Sequence, residues 1–97
     1  MVNTKKVDGQ LVCSFPERMD TPACETHGPK LEEEIAQAVE IVTFDLKGVV
    51  YVASSFLRIC FRTAKTVGPK RFKLSNVGTE VAKTFEIAGI DPGFWGF

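Results

Sequence analysis

Residues 41–58 read IVTFDLKGVVYVASSFLR, and no other stretch of this 97-residue chain restricts the fold as much. Ile41 to Asp45 is an unbroken run of strand length, rich in β-branched and aromatic side chains, as suits a central strand covered by helices. After a short loop, residues 49–52 form a second apolar step. Two serines, Ser54 and Ser55, then stand where a helix must begin, and FLRICFRTAKTV carries that helix to a stop at Gly68-Pro69. A serine at a helix start satisfies orphan N–H groups of the first turn. Those N–H groups, together with the helix dipole, also suit a phosphate.

The rest of the chain alternates in the same way. Asp8-Gly9 is a hairpin turn signal between strands at 4–7 and 10–15, the first an edge and the second buried through Leu11, Val12, Cys13 and Phe15. A helical region runs from Thr21, read as its N-cap, through Pro22 to about Gln37, and Gly28-Pro29 predicts a kink or two short helices. Leu31, Ile35 and Ala38 turn to the sheet, and Glu32-Glu33-Glu34 to solvent. RFKL at 71–74 is a further strand. A last helix starts at Gly78 or Thr79, buries Val81, Phe85 and Ala88, and ends with Gly89 as its C-cap. Asp91-Pro92-Gly93 is a loop, and Phe94, Trp95 and Phe97 form an aromatic tail read as closing the core. The order β-β-α-β-α-β-α implies right-handed crossovers and an α/β fold, with a mainly parallel or mixed sheet of four to five strands.

Composition narrows the function. Ninety-seven residues make one domain, 1–97, and 44% apolar residues is ordinary for a globular protein. Twelve basic and twelve acidic side chains cancel, which gives no electrostatic footprint for nucleic acid. Cys13, Cys24 and Cys60 are odd in number and lack CxxC spacing, so they read as buried small apolar residues and not as a disulfide framework or metal site. No run reaches the roughly 20 apolar residues of a membrane span, and the N-terminus has no signal-peptide core. A reduced, cytoplasmic protein is the simple reading. His27 is the one histidine and has no catalytic partner in sight. No P-loop, GxGxxG or nucleophile triad appears, so no catalytic residue and no cofactor is expected.

The segment DLKGVVYVASSFL resembles the STAS domain family, whose usual form is close to D-L-S-x-V-x-F-I/M-D-S-S/T-G-L. Asp45, Leu46, Val49, Tyr51, Val52, Ser54, Ser55 and Leu57 match, whereas Ala53 stands for the family's Asp and Phe56 for its Gly. Met19-Asp20 is similar to the family's L-D after the second strand, and NVGTEVAKTFEIAGID to its closing helix. The resemblance implies a non-enzymatic protein-binding regulator of bacterial partner switching, an anti-sigma factor antagonist. Its partner would be an anti-sigma factor with a kinase fold that binds ATP and phosphorylates the serine matching Ser54, with Ser55 the weaker candidate.

The surface implied is the start and outer face of the second helix, Ser54, Ser55, Phe56, Arg58 and Arg62, flanked by Asp20 and Thr21. Arg58 lies one turn beyond Ser54 and can pair with a phosphate there. Arg58, Arg62 and Lys65 form a basic row that suits an acidic partner surface, with Phe56 or Ile59 as an apolar anchor; the plain reading of such a row is a solvated face. The plain reading of Ser54 is an N-cap, worth about 1 kcal/mol. Loss of the acid at Ala53 leaves open two other roles: a STAS docking subunit of a lipid-transport ABC system, or a non-switching scaffold in a signalling complex.

Overall fold

The structure is a computed structural model that describes residues 2–37 and 41–90. Its elements are β1 (Asn3–Val7), β2 (Gln10–Ser14), β3 (Arg18–Met19), α1 (Thr21–Ala36), β4 (Ile41–Asp45), β5 (Tyr51–Val52), α2 (Ser54–Val67), a 3₁₀ turn (Pro69–Arg71), β6 (Phe72–Ser75) and α3 (Thr79–Ile87). The main sheet has the order β1-β2-β4-β6. β1 and β2 are antiparallel, joined through Asp8 and Gly9 at φ 47° and 80°, which is the twist a two-residue hairpin needs. β2 with β4 and β4 with β6 are parallel. The sheet is therefore mixed and four-stranded, as expected. β1 is one edge, opposite β6, and carries Lys5 and Lys6, charges that discourage pairing with another chain.

Register places Leu11, Val42 and Phe72 side by side on one face, and next to them Cys13, Phe44 and Leu74. All six are buried. The other face of β4 is only half-buried, at Ile41, Thr43 and Asp45. β4 is thus covered on one side and not on both: its continuous apolar look comes from Ile41 on the open face.

Phe44 is the hub of the covered side. Its ring lies 4.9 Å from Phe15, 4.9 Å from Phe72 and 6.0 Å from Phe56, and Phe15 meets Phe56 edge-on at 5.1 Å. Such pairs contribute about 0.5–1.5 kcal/mol each beyond simple burial. α1 supplies Leu31 and Ile35 to this core, and α3 supplies Val81 and Phe85.

Several expectations are corrected. The cap of α1 is Asp20, whose Oδ1 accepts from Ala23 N–H at 3.0 Å; Thr21 is the first helical residue. α1 continues through Gly28-Pro29 as one helix. Gly28 is buried where a Cβ would come 3.5 Å from Ile59 Cδ1, so close packing of α1 on α2 holds this turn, while Pro29 stays on the exposed side. Ala88 is exposed, and Ile90 closes the end of α3 instead. Ile90 N–H donates to Phe85 O and Gly89 N–H to Glu86 O, with Gly89 at φ 84°, one position beyond the C-cap Ala88. The two-residue strands β3 and β5 escaped the sequence reading. Ala38, the Asp91-Pro92-Gly93 loop and the aromatic tail lie outside the described residues.

Phe56→Ala removes a side chain with no exposed surface from the middle of the aromatic cluster. The expected cost is about 3–5 kcal/mol, a large share of the roughly 5–15 kcal/mol of a typical domain. Urea denaturation followed by circular dichroism should show the midpoint falling by roughly a fifth or more. A fall under a tenth would mean that Phe56 does not hold the core.

Candidate functional site

The two short strands decide where the site lies. β3 and β5 pair in parallel, Arg18 opposite Tyr51 and Met19 opposite Val52. Val50 N–H donates to Glu17 O at 2.8 Å, and Ala53 N–H to Met19 O at 2.9 Å. α1 begins two residues past Met19 and α2 two residues past Val52, so this ladder sets the starts of both helices side by side. Two helix N-termini, each with a partial positive charge, therefore share one face of the molecule. Asp20, Thr21, Ser54 and Ser55 are brought together there.

The two starts are finished differently. Asp20 caps α1 with its carboxylate. At α2 the N-cap is Ala53, and no side chain caps the helix. Ser54 is thus the first helical residue and exposed, not the cap that its position suggested. Ser55 is turned inward: its Oγ is buried without a hydrogen-bond partner among the described residues. It lies beside Cys24, whose thiol donates to Met19 O across 3.8 Å. Burial pushes the Cys24 thiol up, the Ser55 hydroxyl lowers it without reaching hydrogen-bond geometry, and the Asp20 carboxylate raises it.

Phe56 is not on the surface. It is fully buried, and Ile59 is 5% exposed, so neither can be an apolar anchor for a partner. Helix phase is the reason: with Ser54 as first residue, Phe56 and Ile59 fall on the core face with Cys60 and Thr63, while Arg58, Arg62 and Lys65 fall outside. The exposed apolar groups at the helix start are Val50 (52%), just before β5, and Tyr51 (43%), on it; Phe61 (53%) is exposed farther along α2. Arg18 stacks its guanidinium 4.6 Å from the centre of the Tyr51 ring. The apolar step 49–52 was the one signal in the sequence for these two, and Arg18 had none.

Of the basic row, Arg62 Nη1 donates to Glu32 Oε1 at 3.0 Å and bridges α2 to α1. Such an exposed bridge contributes at most about 1 kcal/mol. Arg58 has no carboxylate in ion-pair reach among the described residues. Between the helices runs a groove of about 340 Å³, lined among others by Cys24, Glu25, Glu32, Ser55, Arg58 and Arg62. Among the described residues no three His, Cys, Asp or Glu side chains gather as metal ligands. No helix there is long and apolar enough to cross a membrane.

The STAS domain family model matches residues 1–97. The chain belongs to the STAS domain family. Similar solved structures agree with this fold. An anti-sigma-factor antagonist (STAS) domain protein from Planctomyces limnophilus is 22% identical, with TM-score 0.79, over 89% of this chain and 79% of that one. The Bacillus cell fate determinant SpoIIAA in its phosphorylated form is 20% identical, with TM-score 0.74, over 98% of this chain and 87% of that one. The anti-sigma factor antagonist SpoIIAA in its unphosphorylated form is 23% identical, with TM-score 0.77, over 98% and 84%. No curated protein sequence is close enough to count as a relative.

Two measurements check the site's physics. Ala53→Ser supplies the missing cap, and urea unfolding should show a gain of about 1 kcal/mol, within 0.5–2; no gain would mean that the first-turn N–H groups are already satisfied. The thiols report burial. Burial first, and then the Glu34 carboxylate, push Cys13 from 9.0 up to about 12. Burial first, and then Cys24, push Cys60 well above its ordinary value. A raised thiol pKa keeps the folded state protonated while the unfolded state ionises, so stability is full below pH 9 and falls as pH climbs toward 12. The slope is at most about 1.4 kcal/mol per pH unit per thiol. Melting in reducing buffer from pH 8 to 11 should show this loss, and Cys13→Ala should make it shallower, with the Cys24 and Cys60 contributions remaining.

Proposed function

We propose that this chain is a non-enzymatic protein-binding regulator, a cytoplasmic bacterial anti-sigma factor antagonist formed by one domain over residues 1–97. Its partner is an anti-sigma factor with a kinase fold, and Ser54 is the residue through which that partner switches it. The observation that carries this reading is the contrast between the two serines. Ser54 presents its hydroxyl to solvent at an uncapped helix start, whereas the Ser55 hydroxyl is buried and out of a kinase's reach. In the transfer, Ser54 Oγ attacks the γ-phosphorus of ATP, the bond to ADP breaks, and the serine proton leaves to solvent or a base of the kinase.

The docking surface is the shared face of the two helix starts: Asp20 and Thr21 on one side, Ser54, Arg58 and Arg62 on the other, with Val50, Tyr51 and Arg18 between. Tyr51 backed by Arg18 supplies the apolar anchor first assigned to Phe56, and interfaces favour this pair of residue types. A phosphate on Ser54 adds about −1.5 to −2 charges to the centre of that face, enough to reverse its complementarity to an acidic partner.

A second reading is supported by Ala53, which lacks the family's acid before the serine. In it the same face docks permanently, on an ATPase of a lipid-transport ABC system or within a signalling scaffold, and Ser54 is never modified.

Affinity capture of the chain from its own cells, with mass spectrometry of bait and partners, separates the two. A kinase-fold partner and bait phosphorylated at Ser54, never at Ser55, is the expected result; transporter subunits or other STAS proteins with Ser54 always bare favour permanent docking. With the captured partner in hand, Ser54→Asp should weaken binding at least tenfold while Ser54→Ala binds as wild type. Equal binding of the two leaves docking without a switch. Tyr51→Ala should weaken binding by about 2 kcal/mol or more, the scale of an interface anchor.

A further inference from the structure

The two adjacent helix starts meet negative charge unequally. At α1 the Asp20 carboxylate already occupies the first turn. At α2 the Ala53 side chain offers no oxygen, and the amides of Ser54 and Ser55 have no acceptor among the described residues. Two further observations point the same way. Ser55 Oγ is buried without a partner at the wall of the inter-helix groove, a hydroxyl left with hydrogen-bonding capacity to spare. Arg58, on the rim of the same groove, has no carboxylate within reach among the described residues, while Arg62 one turn on is held by Glu32.

We propose that phosphate on Ser54 is received in cis, folded over the first turn of α2, where it accepts from the free N–H groups and pairs with Arg58. This rests on the reading of Ser54 as phosphoacceptor and states what the modified residue does next. Arg58 lies four residues on, on the same helix face and about 6 Å along the axis. Lys65 is eleven residues on, about 16 Å away and beyond the roughly 10 Å screening length at 0.1 M salt. The charges that oppose the phosphate are Asp20, Glu25 and Glu32. Glu32 is paired with Arg62, whereas Asp20 accepts from Ala23 N–H and keeps its charge, so Asp20 and Glu25 are the carboxylates that oppose the phosphate most. Phosphorylation then acts on the docking face twice: it adds a dianion, and it withdraws Arg58 from any acidic partner.

The test uses the full chain with phosphoserine installed at position 54 during translation, without a kinase, so that it stands whether or not a kinase partner exists. The ³¹P shift is followed from pH 4 to 8. A phosphate paired with Arg58 has its second pKa below the free value of about 6, and below that of phosphorylated Arg58→Ala by roughly 0.3 units or more. Arg58→Lys should recover part of the difference, Lys65→Ala should leave the wild-type value, and 1 M salt should remove most of the shift. Equal second pKa values in wild type and Arg58→Ala overturn the cis pairing. Failure of the phosphoacceptor reading shows separately, as Ser54 that stays bare in captured protein.

Discussion

Everything in this molecule is arranged around Phe44. The ring has no exposed surface and touches Phe15, Phe56 and Phe72, so one side chain of the central strand meets the strand ends beside it and the first turn of α2 above it. The sheet has one well-buried face, and four aromatic rings concentrate much of its apolar surface at one place. α2 is placed by this cluster before any of its own surface chemistry matters. Because Phe56 is the third helical residue, the cluster grips the beginning of the helix, the very turn that carries Ser54.

The second constraint is the two-residue ladder of β3 and β5. Isolated, so short a pair would not survive in water. Here it lies over the core, with Met19 and Val52 buried, and its backbone bonds fix two helix starts in register. The result is a face on which two dipoles point outward together. Each would attract an anion; Asp20 supplies one internally, and α2 is left with an unmet preference for negative charge. The two helix starts thus differ by an asymmetry of capping.

Much of this was legible from residue order alone. The hairpin at Asp8-Gly9, the three helices, the mixed four-stranded sheet and the gathering of Asp20, Thr21, Ser54 and Ser55 follow from turn chemistry, periodicity and the family resemblance. What was not legible depends on single-residue phase. A helix turns by about 100° per residue, so Phe56 shares its face with Ile59, Cys60 and Thr63, three, four and seven residues on; the family motif, and not this spacing, had put Phe56 on the surface. Pro29 was read as a break because its local cost is real; the burial of Gly28 against Ile59, which offsets it, is a contact thirty-one positions away in the chain. β3 and β5 have two residues each, too few for any alternation to register, and Arg18 becomes notable only when Tyr51 is opposite it.

Ala53 and Phe56, the two departures from the family pattern, make physical sense as a pair. A helix start can be held from above, by a cap that ties down its first amides, or from below, by a side chain anchored in the core. The family's Asp and Gly suit the first arrangement, because a carboxylate reaches the amides and a glycine leaves room beneath. This chain uses the second. Losing a cap costs about 1 kcal/mol, while burying a phenylalanine returns about 1.5–3 kcal/mol, so α2 stays fixed although its first amides are left open. Those amides then face outward beside Ser54 and Arg58 with no internal carboxylate competing for them. An acidic cap would both repel a phosphate on the next residue and occupy its hydrogen-bond donors. Ala53 thus leaves open at α2 the amides that Asp20 closes at α1.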